Sequence, residues 1–326
     1  MRILFLAIAT LLLTGCVNTK KSTNETDITT LDPVGPIFMA DSAYLFCQQQ
    51  CDFGPRVMNS DAHERCGEWI ADKFRQYGAK VTLQRADLRG YDGTILKSTN
   101  IIAAYRSDLS ERILLCAHWD SRPWADNDPD ESNHRKPVMA ANDGASGVAV
   151  MLELARLLSI DTLSVGIDFV CFDAEDWGTP QWADTGGNDS DTWALGAQFW
   201  ASENTTKYRY GILLDMVGGQ GAKFYQEGVS LYYAPTVVKR VWAAAEIIGY
   251  GSMFPKEEGS MITDDHVPVN QKANIPCIDI IPYYADCKAS SFGPTWHTVN
   301  DDMQHIDKNT LQAVGQTMIQ LLYSEK

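Results

Sequence analysis

The sequence predicts a single α/β domain: a twisted, mixed but mostly parallel central sheet with helices flanking both faces. Three observations predict it. Four short, predominantly apolar runs, at 112–117, 165–172, 210–216 and 275–281, read as strands buried on both faces, the first of them as a continuous apolar run. Stretches of helical spacing separate the runs, which points to a sheet covered on both sides. An acid or a histidine follows each run, and sheets of this kind bind ligands beyond the C-terminal ends of their strands.

The chain opens with Met1-Arg2, an apolar run over 3–13, and Leu13-Thr14-Gly15-Cys16. One basic residue, about a dozen apolar ones and a small-residue ending read as a secretory signal over residues 1–15. The run is shorter than the about 20 residues that span a bilayer. Its Leu-Thr-Gly-Cys ending resembles a bacterial lipobox. That resemblance implies cleavage before Cys16, a diacylglycerol on the Cys16 thiol, and export to the periplasmic side of the envelope with only this lipid touching the membrane. Polar residues over 16–35 read as a flexible tether. The remainder, 36–326, is a length that one α/β domain often fills, and it holds no linker, repeat or low-complexity block.

Within it, 61–77 has helical spacing, with Ser60 as N-cap and Gly78 as stop. Residues 81–85 and 99–105 read as strands. The buried strands 112–117, 165–172, 210–216 and 275–281 are interleaved with helices at 147–158, 193–201 and 235–249, and an amphipathic helix at 309–324 closes the chain.

The formal net charge is −15 and no basic stripe is present, which excludes nucleic acid as the expected partner. The acidic balance favours a cationic group near the site, such as a free α-amine. Of the 8 cysteines, Cys116, Cys171 and Cys277 lie in apolar runs and read as small core residues. A disulfide among Cys47, Cys51, Cys66 and Cys287 is compatible with an oxidising envelope. The chain has no Cys-x-x-Cys pair, so a thiolate zinc site is disfavoured.

The residues after the strands carry the chemistry. His118-Trp119-Asp120 follows the first buried strand, and His118 and Asp120 share one face of an extended segment. Asp143, in Asn142-Asp143-Gly144-Ala145-Ser146-Gly147, stands at a helix start, where taken alone it reads first as an N-cap. Asp173-Ala174-Glu175-Asp176 follows the next strand. Adjacent carboxylates there read either as a solvated turn or as a metal ligand beside a general base, since they resist burial unless a cation compensates them. Asp215 closes the third strand, and Trp296-His297 follows the last. Each alone is weak; together they suit one His, two carboxylates and an open position, a catalytic rather than structural zinc.

These motifs resemble the zinc aminopeptidase family, M28, and within it the glutaminyl-peptide cyclotransferases of the bacterial, animal-like type. The resemblance rests on Ala117-His-Trp-Asp-Ser, Ala141-Asn-Asp-Gly-Ala, Phe172-Asp-Ala-Glu-Asp, Leu213-Leu-Asp-Met, Asp264-Asp-His-Val-Pro and Trp296-His-Thr. It implies one zinc on Asp143, Asp176 and His297, with Glu175 as general acid/base and Asp215 and Asp264 as proton-relaying acids. Trp296, Trp177 and His118 are then expected around the substrate, a peptide or protein N-terminus bearing Gln. The animal cyclases have Glu where this chain has Asp176, and their disulfide beside the zinc would fall at Ala117 and Val148.

The same residues would also serve a two-zinc aminopeptidase, with His118 and Asp215 on a second zinc, Asp143 bridging and Glu175 activating water. Three features favour the cyclase: Trp before His297, the Asp264-Asp265 doublet before His266, and tryptophans at 119, 124, 177, 182 and 296 near the motifs. Trp124 and Trp182 read as ordinary packing. A non-catalytic ectodomain of this type would typically have lost metal ligands, and none is missing.

Overall fold

Period-two alternation along buried strands builds the centre of the molecule. The computed structural model describes residues 32–161, 163–183 and 189–325. The signal and the Cys16 lipid site lie outside the described residues. Strands β1 (Lys80–Arg89), β2 (Ile95–Tyr105), β3 (Arg112–His118), β4 (Gly166–Phe172), β5 (Gly211–Leu214) and β6 (Cys277–Ile280) form one sheet in the order β1-β2-β4-β3-β5-β6. The β3–β4, β3–β5 and β5–β6 pairs are parallel, and β1–β2 and β2–β4 are antiparallel. In β3, Ile113, Leu115 and Ala117 face one layer, and Leu114 and Cys116 the other.

The first layer is the larger. It packs α1 (Ala40–Cys51), α2 (Asp61–Gln76), α3 (Ala145–Leu158), α6 (Pro235–Ile247) and α8 (Lys308–Tyr323) onto the sheet through residues such as Phe74, Val148, Val241 and Val314. The second layer holds α4 (Leu195–Glu203) and α7 (His266–Gln271), with Trp200 and Val269 against Phe172 and Leu213. The short helix α5 (Gly228–Tyr233) precedes α6. At the edge, β1 has no buried residue and exposes Lys80, Arg85, Asp87 and Arg89, charges that discourage pairing with another chain. Ser60 caps α2 by accepting from the His63 N–H at 3.2 Å, as its sequence position predicts.

Two expectations are corrected. The tether does not run to residue 35, because the backbone is already docked on α8 from Asp32: Gln320 accepts from the Val34 N–H at 2.8 Å and Gln316 from the Phe38 N–H at 2.8 Å. From Asp32 onward the chain packs as one unit. No disulfide forms among the described residues either. Cys47, Cys51 and Cys66 are buried free thiols, and the Cys47 thiol donates to the Ala141 carbonyl at 3.0 Å. Among the described residues, no helix is long and apolar enough to cross a membrane.

The feature of the fold that most constrains the site is the descent of α3 onto the sheet. A Cβ at Gly147 would stand 2.1 Å from the Leu214 carbonyl oxygen of β5. Only glycine permits that approach, which brings the loop ahead of α3 level with the ends of β3 and β5. Gly147→Ala should therefore destabilise the fold. Overpacking against backbone outweighs the ~1 kcal/mol of helix propensity gained, and a net loss of about 2 kcal/mol is expected. Urea unfolding measures it, and an unchanged midpoint would contradict the packing argument.

Candidate active site and metal centre

Five loops at the C-terminal edge of the sheet deliver the acids and histidines to one place. Asp143 is not a helix cap. Gly144, at φ +109°, takes the cap position of α3, and no side chain caps the helix. A Cβ on Gly144 would lie 2.8 Å from the His118 ring, so the turn fits closely over the end of β3. The Asp143 carboxylate is thus free to stand between two histidines. One oxygen is 2.9 Å from His118 Nε2, and the other is 3.6 Å from His297 Nε2. On the far side, His118 Nε2 is 3.2 Å from Asp215 Oδ1, and His297 Nε2 is 3.2 Å from Asp176 Oδ1.

Glu175 and Asp176 do not form a solvated turn; both are buried. The Asp120 carboxylate fixes them by accepting the backbone N–H groups of Glu175 at 3.2 Å and Asp176 at 3.1 Å. Asp301 does the same for the other ligand loop, accepting from the Asn142 N–H at 2.8 Å and the Asp143 N–H at 3.0 Å. His297 Nδ1 lies 3.5 Å from Asp126, which in turn accepts two hydrogen bonds from Arg122. A carboxylate behind the second imidazole nitrogen orients the ring and leaves Nε2 to face a metal. Ala174, Met216 and His297 hold positive φ of 54°, 50° and 53°, a conformation non-glycine residues rarely adopt. Such strain gathers where surrounding structure enforces a functional geometry.

The electrostatics follow from burying so many acids. Burial pushes the Glu175 carboxyl well up, and the neighbouring Asp176 and Asp264 add to the effect while His118 opposes it. Burial raises Asp215 to about 6 against the hydrogen bond from His118, and raises Asp264 to about 7 with help from Asp215. For Asp143, burial is outweighed by His118 and His297, and its carboxyl is held low.

The residues present fit a metal. Asp176 is 1% exposed, yet neither of its oxygens accepts a hydrogen bond. Two carboxylates and one imidazole, with ligand atoms within 4.8 Å of one another, are a donor set suited to catalytic zinc. A second group, His118, Asp143 and Asp215, meets the same spacing, and Asp143 belongs to both.

Beside this centre lies a cavity of about 280 Å³. Its lining brings the acids Asp143, Glu175, Asp215 and Asp264 together with the aromatic rings of Trp193, Phe292 and Trp296. The Trp296 ring stacks on His297, with centroids 3.8 Å apart. Trp193 runs nearly parallel to the same imidazole, at 10° and 6.1 Å, and packs under the Arg122 guanidinium at 4.6 Å.

Two residues expected around the substrate, Trp177 and His118, do not line this cavity. Trp177 turns away, since Arg122 binds the carbonyls of Asp176 and Gly178 on either side of it, and its ring packs against Trp124 at 5.4 Å. Its indole N–H reaches Asp92 at 3.4 Å. His118 is 1% exposed, and its Nε2 contacts Asp143 and Asp215. Trp193 takes the place expected of Trp177. Its sequence signal, a tryptophan just ahead of a helix, reads as ordinary packing.

A fold and site of this kind define a metal-dependent α/β exopeptidase-type enzyme. The model of peptidase family M28 matches residues 100–322, and the chain belongs to that family. Among solved structures, it resembles the Bacteroides thetaiotaomicron glutaminyl cyclase bound to N-acetylhistamine, with 52% identity, 89% of this chain and 99% of that one covered, and a TM-score of 0.87. The Tannerella forsythia glutaminyl cyclase matches at 50% identity, covering 89% of this chain and all of that one, with a TM-score of 0.87. A Zn-dependent exopeptidase from Parabacteroides distasonis shares 47% identity over 90% of this chain and all of its own, also at 0.87. Aminopeptidase YwaD of Bacillus subtilis is 29% identical over 276 residues, 76% of this chain; the chain spans only about half, 52%, of that curated relative.

Asp301 belongs to none of the candidate ligand groups, but it holds the backbone that carries Asp143. Asp301→Ala should weaken zinc binding about 10–100-fold. Competition against a chromophoric chelator measures it, and unaltered affinity would deny Asp301 this part.

Proposed function

We propose that this protein is a zinc-dependent glutaminyl-peptide cyclotransferase, converting the N-terminal Gln of peptides and proteins to pyroglutamate with release of ammonia. The observation that carries the reading is the cavity itself, about 280 Å³, lined by Trp193, Phe292 and Trp296 together with Glu175, Asp215 and Asp264. Aromatic walls accept a planar carboxamide and keep bulk water from its carbonyl, which hydrolysis would require. The likeness to glutaminyl cyclases at 50–52% identity supports the same choice.

Asp143, Asp176 and His297 would hold the zinc, which when bound polarises the γ-carboxamide carbonyl as a Lewis acid. The protein's own groups do the rest. Walls of the slot fold the Gln side chain so that its α-nitrogen meets its own Cδ, and proximity lowers the barrier to ring closure. As the new C–N bond forms, Glu175 takes a proton from the α-amine. It returns that proton to the carboxamide nitrogen as the old C–N bond breaks and ammonia leaves. A carboxyl raised by burial suits both halves of the transfer. Asp264 faces the cavity beside Glu175 and, with Asp215, orients the amine and shares its proton.

One observation favours a second reading, a two-zinc aminopeptidase: the His118, Asp143 and Asp215 group. Its members are joined by hydrogen bonds, however, with His118 Nε2 contacting both acids, whereas the buried Asp176 oxygens have only the imidazole of His297, itself a candidate ligand of the same metal, at 3.2 Å. That contrast supports one zinc per chain.

The tests separate the readings. Incubation with Gln-initiated dipeptides should release ammonia and no free amino acid, and metal analysis should find one zinc per chain. Free amino acid with two zinc ions would establish the peptidase. Glu175→Gln should keep its zinc and lose turnover by at least about 100-fold, the usual contribution of a general acid/base. His297→Ala should lose the zinc. Near-normal turnover in the first variant, or full zinc in the second, would overturn the roles assigned.

The N-terminal sequence supports export and lipid anchoring at Cys16. Palmitate labelling in a bacterial host should mark the wild type and not Cys16→Ala; equal labelling would remove the anchor.

A further inference from the structure

The turn that carries Glu175 is strained, and its neighbours have to hold it. Ala174, the residue before Glu175, sits at φ +54°, where the Cβ of an L-residue crowds the following carbonyl oxygen. On one side, the Ala174 and Glu175 carbonyls accept the N–H groups of Leu195 and Ala194, each at 3.1 Å. On the other, the Ala174 N–H donates to the Asp173 carboxylate at 2.9 Å. Asp173 is 0% exposed, so its charge survives burial only if donors surround it.

Two donors besides Ala174 reach that carboxylate. The Thr99 N–H of β2 meets one oxygen at 2.6 Å, and His63 Nε2 of α2 meets the other at 2.8 Å. Burial pushes the Asp173 carboxyl up, and His63 opposes the rise. Without His63 the group would take up a proton, and a neutral carboxyl holds an N–H less firmly than a carboxylate does. His63 thus reaches the catalytic turn from 110 residues earlier in the chain, through one acid.

The His63 ring is itself fixed. It lies flat on Trp119, with centroids 4.2 Å apart and planes 14° apart. Trp119 is pinned in turn: its indole N–H donates to the Thr99 carbonyl at 3.2 Å, and its backbone N–H to the Phe172 carbonyl at 3.0 Å. Gly67, one turn along α2 from His63, lets the helix settle on the same ring, since a Cβ there would stand 2.7 Å from it. Asp176, by contrast, has separate supports. Asp120 accepts its N–H, and Arg122 donates to its carbonyl.

We infer that His63 is a positioning residue for the proton transfer: through Asp173 it holds the left-handed turn at Ala174 that presents Glu175 to the cavity. The inference rests on Glu175 as the group that carries the proton, a role it has in the cyclase and the aminopeptidase readings alike.

His63→Gln and His63→Asn test it, with turnover of a Gln-initiated dipeptide read as ammonia or free amino acid. The Gln amide nitrogen stands as many bonds from Cα as the imidazole Nε2 and can still donate to Asp173. The Asn amide falls one bond short. Both substitutions remove the stacked ring, so any instability from that loss is common to the two. His63→Asn should lose at least about tenfold in kcat, the cost of a displaced catalytic group. Its KM and its zinc per chain should stay at wild-type values, because Asp176 keeps its own supports. His63→Gln should recover most of the lost kcat. Asp173→Asn should repeat the loss, and the double variant His63→Asn/Asp173→Asn should lose no more than either alone, as residues acting through one contact do. Wild-type kcat in His63→Asn, an equal loss in both His63 variants, or a loss that follows zinc content and folded fraction overturns the assignment. Glu175→Gln is run alongside. Normal turnover in that variant, or neither product from the wild type, removes the role of Glu175 and that of His63 with it, a result distinct from the other three.

Discussion

Carboxylates repel one another and resist leaving water, and this chain buries Asp143, Glu175, Asp176, Asp215, Asp264 and Asp301, four of which (Asp143, Glu175, Asp215 and Asp264) line one cavity. Much of the architecture is the means by which that concentration of charge is held in place. His118 and His297 stand on either side of Asp143, and Arg122 runs beneath the Asp176 loop. Asp120 and Asp301 are committed to backbone N–H groups, so their charge is spent on fixing loops rather than competing for the cavity. What is left over is Asp176, desolvated and without a hydrogen bond. Breaking such a balance by removing one partner is costly, and a divalent cation is the group that completes it.

The sequence made the sheet legible where burial is two-sided. Continuous apolar runs gave β3, β4, β5 and β6 their positions because a strand covered on both faces has no polar face to alternate with. The antiparallel β1–β2 pair was harder. Its residues at 95–98 alternate exposed and buried, and the strand extends beyond the apolar stretch that announces it. Helices α5 and α7 gave no pattern at all. Each is six residues long, and Glu227, outside both, accepts from the start of one and meets the start of the other. A cap that joins two elements through one side chain leaves no periodic trace.

The site divides in the same way. Residues that end a buried strand, His118, Asp215 and the Glu175-Asp176 pair, were visible because a charge seldom closes an apolar run without purpose. The structure brings them together with Asp143, Asp264 and His297. It does not bring Trp177, and no local rule could have told Trp177 from Trp193. Which of the two faces the cavity depends on where Arg122, a residue more than fifty positions earlier in the chain than Trp177, finds carbonyls to bind. The left-handed backbone at Ala174, Met216 and His297 was equally hidden, since none is a glycine. Local sequence describes what a residue prefers. These three are held against their preference by contacts that form only when the whole fold is assembled.

One sheet thus supports two chemistries that differ in a single reactant. A peptidase and a cyclase both need a polarised carbonyl and a carboxyl that can carry a proton, and the ends of β3, β4 and β5 supply those regardless of which nucleophile attacks. Water is small and abundant; an α-amine is tethered to its target and has to be folded onto it. The decision therefore falls to the walls rather than to the metal centre. Trp296 stacked on His297 narrows the slot beside the metal centre, and Trp193 with Phe292 adds to its walls. A bound Gln side chain then occupies the space from which water would attack. On this view, widening the walls would loosen the choice of nucleophile, while Asp120, Asp126 and Asp301 would still hold the ligand loops and the His297 ring from behind.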